Sequence, residues 1–348
     1  MKVLFNCHVP FMLAHGGAQI QIEQTMAALG KLGVSVEPLR WWDGNQTGDV
    51  LHHFGRMSSP LLVAAQQNGM KVIVAELLTE QGSRSPRRIK LQKILRHLML
   101  VILPRRRVAL FNWDCYSLAD ACLLLTEWEA FLLKELYGAP PARIHVVPNG
   151  VEEVFLNSQP ATRGPWLVCT ATITERKRVL ELAEAAVRAH TPLWIIGKPY
   201  SESDAYARRF STLAKAHPHT LRYEGPIEDR AKLAQVYREA RGFVLLSAME
   251  SLSLSALEAA ACECPLLLSR LPWATTVFRE SACYCPVGLS AARTAVFLRQ
   301  FYDAAPGLKP PPRPLTWLEV GQQLKRLYET LLSGSKSVRP QMDTDRHR

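Results

Sequence analysis

The chain has 348 residues, of which 48 % are apolar types and 21 % charged, and its formal net charge is +11. That length suggests two domains at about 150 residues each, and the composition is that of a globular chain with a core in each half, which excludes disordered, collagen-like and coiled-coil readings of the whole. The charge is concentrated: between Gln81 and Trp113 stand nine Lys/Arg and no Asp or Glu, so the rest of the chain is nearly neutral.

The start, MKVLFNC, carries a strand-like apolar run and no small-residue cleavage site, so no secretory leader is expected. The longest apolar run near the middle, 98–103, is far short of the ~20 residues a membrane span needs. An apolar run over 3–7 predicts a buried strand. Ile22, Met26 and Leu29 share one face of a helix over 18–32, with Gly33 as its stop. Short strands are predicted at 34–39 and 50–53, then a helix between Ser58-Ser59-Pro60 and Gly69, then strands at 72–75 and 121–125. Thr126 and Glu129 have the spacing of a capping box, opening a helix that ends near Gly138. A strand at 144–147 closes the half, before the turn Pro148-Asn149-Gly150.

The second half repeats the alternation. Strands are predicted at 166–170, 193–196, 221–223, 243–246 and 266–268, with helices near 176–189, 203–216, 229–240 and 254–262. Alternating strands and helices mean parallel sheets covered on both faces, here two Rossmann-like α/β units joined near 151–165. Residues 1–155 are assigned to the first domain and 156–308 to the second. A stiff Pro-rich spacer (KPPPRP) and a closing helix fill 309–333, and the polar tail 334–348 is expected to be disordered. Ligands of open parallel sheets bind beyond the carboxyl ends of the strands, so two facing sheets place a cleft between them.

The cysteines offer no disulfide framework. Cys7, Cys122 and Cys169 sit in strand-like runs, and Cys262/Cys264 and Cys283/Cys285 are C-x-C pairs, narrower than metal knuckles favour. Reduced, buried thiols in a cytosolic protein are the expectation, with no metal site.

Three segments can carry chemistry. The loop His15-Gly16-Gly17-Ala18 lets backbone approach a ligand closely ahead of a helix N-terminus. Thr174-Glu175-Arg176-Lys177-Arg178 sets three cations at a strand-to-helix junction, where the helix macrodipole disfavours them, and that conflict points to an anionic ligand. The most informative is Glu250-Ser-Leu-Ser-Leu-Ser-Ala-Leu-Glu258. Glu250 follows a strand, Ser251–Ser253 make the turn, and Glu258 lies ~7 Å along the next helix. Carboxylate, free helix N–H groups and carboxylate then follow one another, an order that suits a diphosphate with hydroxyl-bearing groups at both ends.

These motifs make the sequence resemble the family 4 retaining glycosyltransferases of the GT-B fold, over roughly residues 1–290. The marks are HGGAQIQIEQTMAALGKLG, Asp49-Val-Leu-His52, ADACLLLTEWEAFLLKELYG, VVPNGVEEVF, the basic turn at Lys177, IIGK at 195–198, YEGPI at 223–227, and FVLLSAMESLSLSALEAAACECPLLLS. The resemblance implies two facing Rossmann-like domains, and transfer of a sugar from a nucleoside-diphosphate sugar to a glycan or lipid-linked acceptor hydroxyl. It implies retention at the anomeric carbon and no metal or other cofactor. Glu258 would hold the ribose and Glu250 the donor sugar. Ser251, Leu252, Ser253 and Leu254 would offer backbone N–H groups to sugar and phosphate, Lys177 would neutralise the leaving diphosphate, and Gly16 and Gly17 would line the opposite wall.

The sequence departs from the family pattern in three places. Thr172 stands where many members have an Arg, and Arg176 or Arg178 is the candidate replacement. Ser253 and Glu263 stand where glycines are common. Ala75-Glu76-Leu77 stands where many members place a His in the cleft, which makes Glu76 a candidate on the acceptor side, beside His52 and His53 at the end of a strand facing the cleft. Two other functions use the same features: a nucleotide-sugar epimerase, and a non-catalytic module that binds membranes or polyanions. Segment 84–107 interleaves Ile89, Ile94, Leu95, Leu98 and Leu103 with Arg88, Lys90, Lys93 and Arg96, as an interfacial amphipathic helix does. It is expected to meet an anionic membrane surface at the cytoplasmic face, or to form a basic cleft wall. It lacks the interleaved aromatics of a single-strand reader, so no nucleic-acid partner is expected.

Overall fold

The protein is described by a computed structural model that covers residues 1–7, 16–104, 107, 110–157 and 161–334. His15 of the Gly-Gly loop and residues 335–348 of the predicted tail lie outside the described residues.

The first domain is a parallel sheet of six strands in the order β2-β1-β3-β4-β5-β6. These are β1 (Lys2–Cys7), β2 (Ser35–Pro38), β3 (Val50–Phe54), β4 (Lys71–Ala75), β5 (Ala121–Leu124) and β6 (Ile144–Val146). Val3, Leu4, Val50, Leu51, Val72, Ile73 and Val74 are buried on both faces of the sheet, as the continuous apolar runs require. The connections are α1 (Gly17–Lys31), α2 (Ser59–Gln67), α3 (Thr79–Gly82), α4 (Pro86–Ile102), α5 (Cys115–Leu118) and α6 (Glu127–Tyr137). Gly138 ends α6 in the left-handed conformation. The chain crosses to the second domain through α7 (Glu153–Leu156), whose Phe155 is buried in the second domain's core.

The second sheet is also parallel, in the order β12-β11-β10-β7-β8-β9. Its strands are β7 (Leu167–Thr170), β8 (Leu193–Ile196), β9 (Leu221–Tyr223), β10 (Gly242–Leu245), β11 (Leu266–Ser269) and β12 (Cys283–Cys285). Helices α8 (Val179–Arg188), α9 (Ala205–Ala216), α10 (Arg230–Glu239), α11 (Leu254–Ala261), α12 (Pro272–Phe278) and α13 (Ala291–Ala304) cover it. The sequence pattern did not disclose β12, α12 and α13. β12 is only three residues long and half-buried at an edge, so it leaves little periodicity to read. The eight cysteines are free thiols, and six are buried.

The last helix, α14 (Trp317–Gly334), returns to the first domain. Its Trp317, Val320, Leu324 and Tyr328 are buried with Ile22, Ala28 and Leu29 of α1. The returning chain passes directly over the Pro148-Asn149-Gly150 turn. The Val151 N–H donates to the Leu315 carbonyl (2.8 Å), and the Trp317 N–H donates to the Val151 carbonyl (3.2 Å). A Cβ on Gly150 would stand 2.6 Å from the Trp317 nitrogen, so this crossing admits only glycine. Among the described residues no helix is long and apolar enough to cross a membrane.

Candidate active site

A cleft of about 580 Å³ lies beyond the carboxyl ends of both sheets. Gly16 and Gly17 follow β1, Leu77 and Thr79 follow β4, and Asn149 follows β6. From the second domain come Thr170, Thr172, Arg176 and Lys177 after β7, Lys198 and Tyr200 after β8, and Glu250 to Ser255 with Glu258 after β10. All ten residues singled out from the sequence line this cleft: Gly16, Gly17, Arg176, Lys177, Glu250, Ser251, Leu252, Ser253, Leu254 and Glu258.

Gly16 adopts φ 147° and ψ −158°, a conformation open only to glycine. A Cβ on Gly17 would meet the Leu254 side chain at 3.7 Å, so the Gly-Gly loop faces the start of α11 across the cleft.

The basic turn resolves its own conflict. The Thr174 hydroxyl accepts from the Lys177 N–H (3.4 Å) to cap a short 3-10 turn, and Arg178, at φ 53°, separates that turn from α8. Arg176 and Lys177 therefore stand off the first turn of α8 and reach sideways. Lys177 pairs with Glu250. Arg176 donates to Glu250 Oε1 (3.3 Å) and to the Met249 carbonyl (3.0 Å). Arg178 turns away to the Leu289 carbonyl (3.0 Å), so of the two candidate replacements for the Arg expected at Thr172, Arg176 is the one in the cleft.

Glu250 and Glu258 are both buried, not surface glutamates. Ser253 caps α11, its hydroxyl accepting from the Ala256 N–H (3.4 Å). One turn further on, Glu258 accepts from Arg230 and from the Tyr237 hydroxyl (3.3 Å). Burial raises the Glu258 pKa above the usual carboxyl value, against the pull of Arg230. Arg230 also bonds Glu152 and lies over the Phe155 ring (4.7 Å). Sequence reading missed Arg230. Its signal is the same as that of the basic turn: a cation in the first position of a helix, just after the cap Asp229.

Sequence reading also missed how the first domain grips the Glu250–Leu252 turn. The Glu250 N–H donates to the Ser83 hydroxyl (3.2 Å), and the Thr79 and Ser251 hydroxyls are bonded at 2.9 Å. The Ser251 hydroxyl donates to Glu129 Oε1 (2.7 Å), and Asn149 Nδ2 donates to the Leu252 carbonyl (3.5 Å). The capping box at Thr126 and Glu129 is half formed. Thr126 accepts from the Glu129 N–H (3.2 Å), but the Glu129 carboxylate turns inward to the Leu78 N–H (3.0 Å), the Leu125 N–H (3.1 Å) and Ser251. Burial raises its pKa.

His52 and His53 do not face the cleft, which corrects that expectation. His52 lines a smaller chamber behind it, with Thr25, Glu76 and Trp317, and the chamber shares Gln21, Leu77 and Asn149 with the cleft. His52 Nδ1 is bonded to the Tyr328 hydroxyl (2.7 Å), and burial, with His53 beside it, pulls its pKa down to about 3. His53 Nδ1 is bonded to Asn6 (3.0 Å). Glu76 accepts from Tyr116, which accepts from Arg56 (2.9 Å), and burial raises the Glu76 pKa despite both. Among the described residues no group of three or more His, Cys, Asp and Glu is placed to hold a metal ion.

Residues 164–295 match the family model described as glycosyl transferases group 1. A D-inositol 3-phosphate glycosyltransferase of Acidothermus cellulolyticus is 30 % identical over 228 residues, which are 59 % of this chain and 50 % of that protein. The chain thus spans about half the length of the curated relative it matches. Among solved structures, sucrose-phosphate synthase from Thermosynechococcus elongatus superposes with a TM-score of 0.65 at 17 % identity, over 96 % of this chain and 100 % of that one. Anabaena HepE in complex with UDP superposes with a TM-score of 0.62 at 12 % identity, over 97 % and 99 %. The likeness establishes the fold as GT-B, with its two Rossmann-like domains facing across a cleft.

Proposed function

We propose that this chain, whose residues 164–295 form a group 1 glycosyltransferase domain on a GT-B fold, moves a sugar from a nucleoside-diphosphate sugar to a glycan or lipid-linked acceptor hydroxyl, with retention. The observation that carries the reading is the order of groups on one wall of the cleft: Arg176 and Lys177, Glu250, the start of α11, and Glu258. The diphosphate sits at the first N–H groups of α11, which have no acceptor within the helix. Lys177 and Arg176 lie beside that position and face the negative charge that grows on the leaving group. This supply of fixed positive charge supports a reaction that needs no metal and no further cofactor. Glu258 takes the ribose hydroxyls.

Glu250 is paired with both cations. A bound diphosphate competes for Lys177 and Arg176, and their transfer to phosphate releases Glu250 to the sugar hydroxyls. Donor binding thereby exchanges one set of charged contacts for another inside a buried site. Retention and the front-face attack it entails, with the leaving phosphate taking the acceptor proton, rest on the family resemblance.

The test is a panel of nucleotide-sugars, uridine donors first because HepE was solved with UDP, read by thermal shift and by slow donor hydrolysis. A donor at 100 times its Kd stabilises by about 2.7 kcal/mol. If no donor in the panel shifts the melting temperature, the reading fails. Release of an altered sugar without acceptor identifies an epimerase instead. The first-formed anomer, read by proton NMR, decides retention, and turnover in EDTA decides metal independence.

A further inference from the structure

Helix α4 presents its more aliphatic side to solvent. Ile89 is its buried residue, and Gln92, Arg96 and Leu103 follow on the same face, toward the body of the domain. Arg96 donates to the Tyr137 carbonyl (3.1 Å) and lies over the Trp113 ring (5.5 Å). The opposite face, spaced i, i+3, i+4, i+7, is Leu91, Ile94, Leu95, Leu98, Val101 and Ile102. These side chains are exposed, up to 72 % at Ile102. A globular helix facing water has the reverse distribution, and a contiguous apolar patch of this kind marks an interaction surface.

Its rim is basic. Arg87 and Arg88 lie in the first turn, and Lys90, Lys93 and His97 run along one edge, all exposed. The segment from Gln81 to Trp113 has no acidic residue of its own, and Glu135 of α6 pairs with Lys93. We propose that α4 is the seat on which the first domain rests on an anionic membrane, its aliphatic face below the headgroups and its cations against them. Charge complementarity selects this occupant over a second copy of the chain, because two copies packed on this face would bring two net-cationic rims together, in which, among the described residues, Lys93 alone is paired with an acid, Glu135.

The seat leads straight to the cleft. Ser83, in the turn between α3 and α4, bonds the Glu250 N–H, and Thr79 of α3 bonds Ser251. A bilayer against α4 therefore lies at a fixed station relative to the Glu250 turn, where an acceptor hydroxyl carried on a lipid would arrive. The seat itself does not depend on sugar transfer and is tested without it.

The full chain is floated with phosphatidylcholine vesicles prepared with and without phosphatidylglycerol. Binding to the anionic vesicles is expected on the order of 100-fold tighter than to the neutral ones, and weakened by salt. The double variant Ile94→Glu/Leu98→Glu is expected to lose at least about tenfold of that binding, as charges placed on a buried apolar face do. It keeps the wild-type melting temperature and donor affinity, because both side chains are exposed and far from the donor wall. Equal or negligible binding to the two vesicle types would overturn the proposal, as would undiminished binding of the double variant. So would a dimer in solution that the double variant dissociates while wild type ignores vesicles, which would assign the face to a second copy.

Discussion

On the second-domain side of the cleft, Arg176, Lys177 and Arg230 meet Glu250 and Glu258 at the wall itself. Among the described residues of the first-domain side, three ionisable groups stand behind the wall: Glu129 bonded to backbone and Ser251, Glu76 to Tyr116, His52 to Tyr328. Among those residues the cleft is lined on that side by the two glycines, by apolar side chains such as Leu77, and by the uncharged Gln21, Thr79 and Asn149. One wall carries its charges at the cleft surface; the described charges of the other are committed to holding strand ends and loops in place. On the proposed function, the difference gives affinity and chemistry to the second-domain wall, and shape and alignment to the first.

That division is broken or sharpened most directly at Lys177. Lys177→Ala is expected to lower turnover with the best donor by about 2–4 kcal/mol of transition-state stabilisation, with little change in melting temperature. Turnover within threefold of wild type would remove Lys177 from the diphosphate. The two glutamates come next, because the proposed function puts one at a nucleotide end and the other at a sugar end of the charged wall. Glu258→Gln is expected to weaken free nucleoside diphosphate by about 1.5–3 kcal/mol in calorimetry. Glu250→Gln is expected not to weaken that affinity, since it also removes the competitor for Lys177 and Arg176, and to lower the transfer rate. Equal weakening of the free diphosphate by both substitutions would mean the roles are misassigned.

On the other wall, Gly16→Ala forces a side chain into a glycine-only conformation, at a cost of about 1–3 kcal/mol. If Gly16 contributes shape alone, this lowers stability or donor affinity without altering the pH dependence of turnover. The last effect concerns His52, outside the cleft, and is on stability rather than turnover. Its folded pKa of about 3 lies below the ordinary 6.5, so the native state binds fewer protons than the unfolded chain between those values. The stability this represents is fully present above pH 6.5 and is lost as pH falls toward 3, at up to about 1.4 kcal/mol per pH unit. His52→Gln is expected to flatten the acid side of the stability curve. An unchanged slope between pH 6 and pH 4 would show that His52 is not held neutral.

The charged wall was also the legible one. A helix-start cation or a Glu–turn–Glu run conflicts with local preference, and the conflict can be read from residue order alone. Sheet strands were legible too, since two-sided burial leaves continuous apolar runs such as Val72–Ile73–Val74. Glu129 was legible only in part: its spacing from Thr126 is that of a cap, and nothing local reports that its carboxylate serves Leu78 and Ser251, which are far away in sequence. The same holds for His52, whose partner Tyr328 is 276 residues on. β12 left no signal because three residues, two of them half-buried, are too few to show a period.

The return of α14 to the first domain changes what counts as a separable piece of this chain. Topologically the second domain is an insertion, entered at Val151 and left at Leu315, where the two connecting segments lie bonded side by side. Cutting the chain after 308 would strip Trp317, Val320, Leu324 and Tyr328 from the face of α1 and open the core of the domain that remains. Excising 151–308 removes no buried residue of either first-domain core cluster, although it takes away Leu254, which packs against one of them, and leaves behind Leu125, which is buried in the second core. The insertion therefore parts from its host at few side chains, whereas the host core is built from both ends of the sequence.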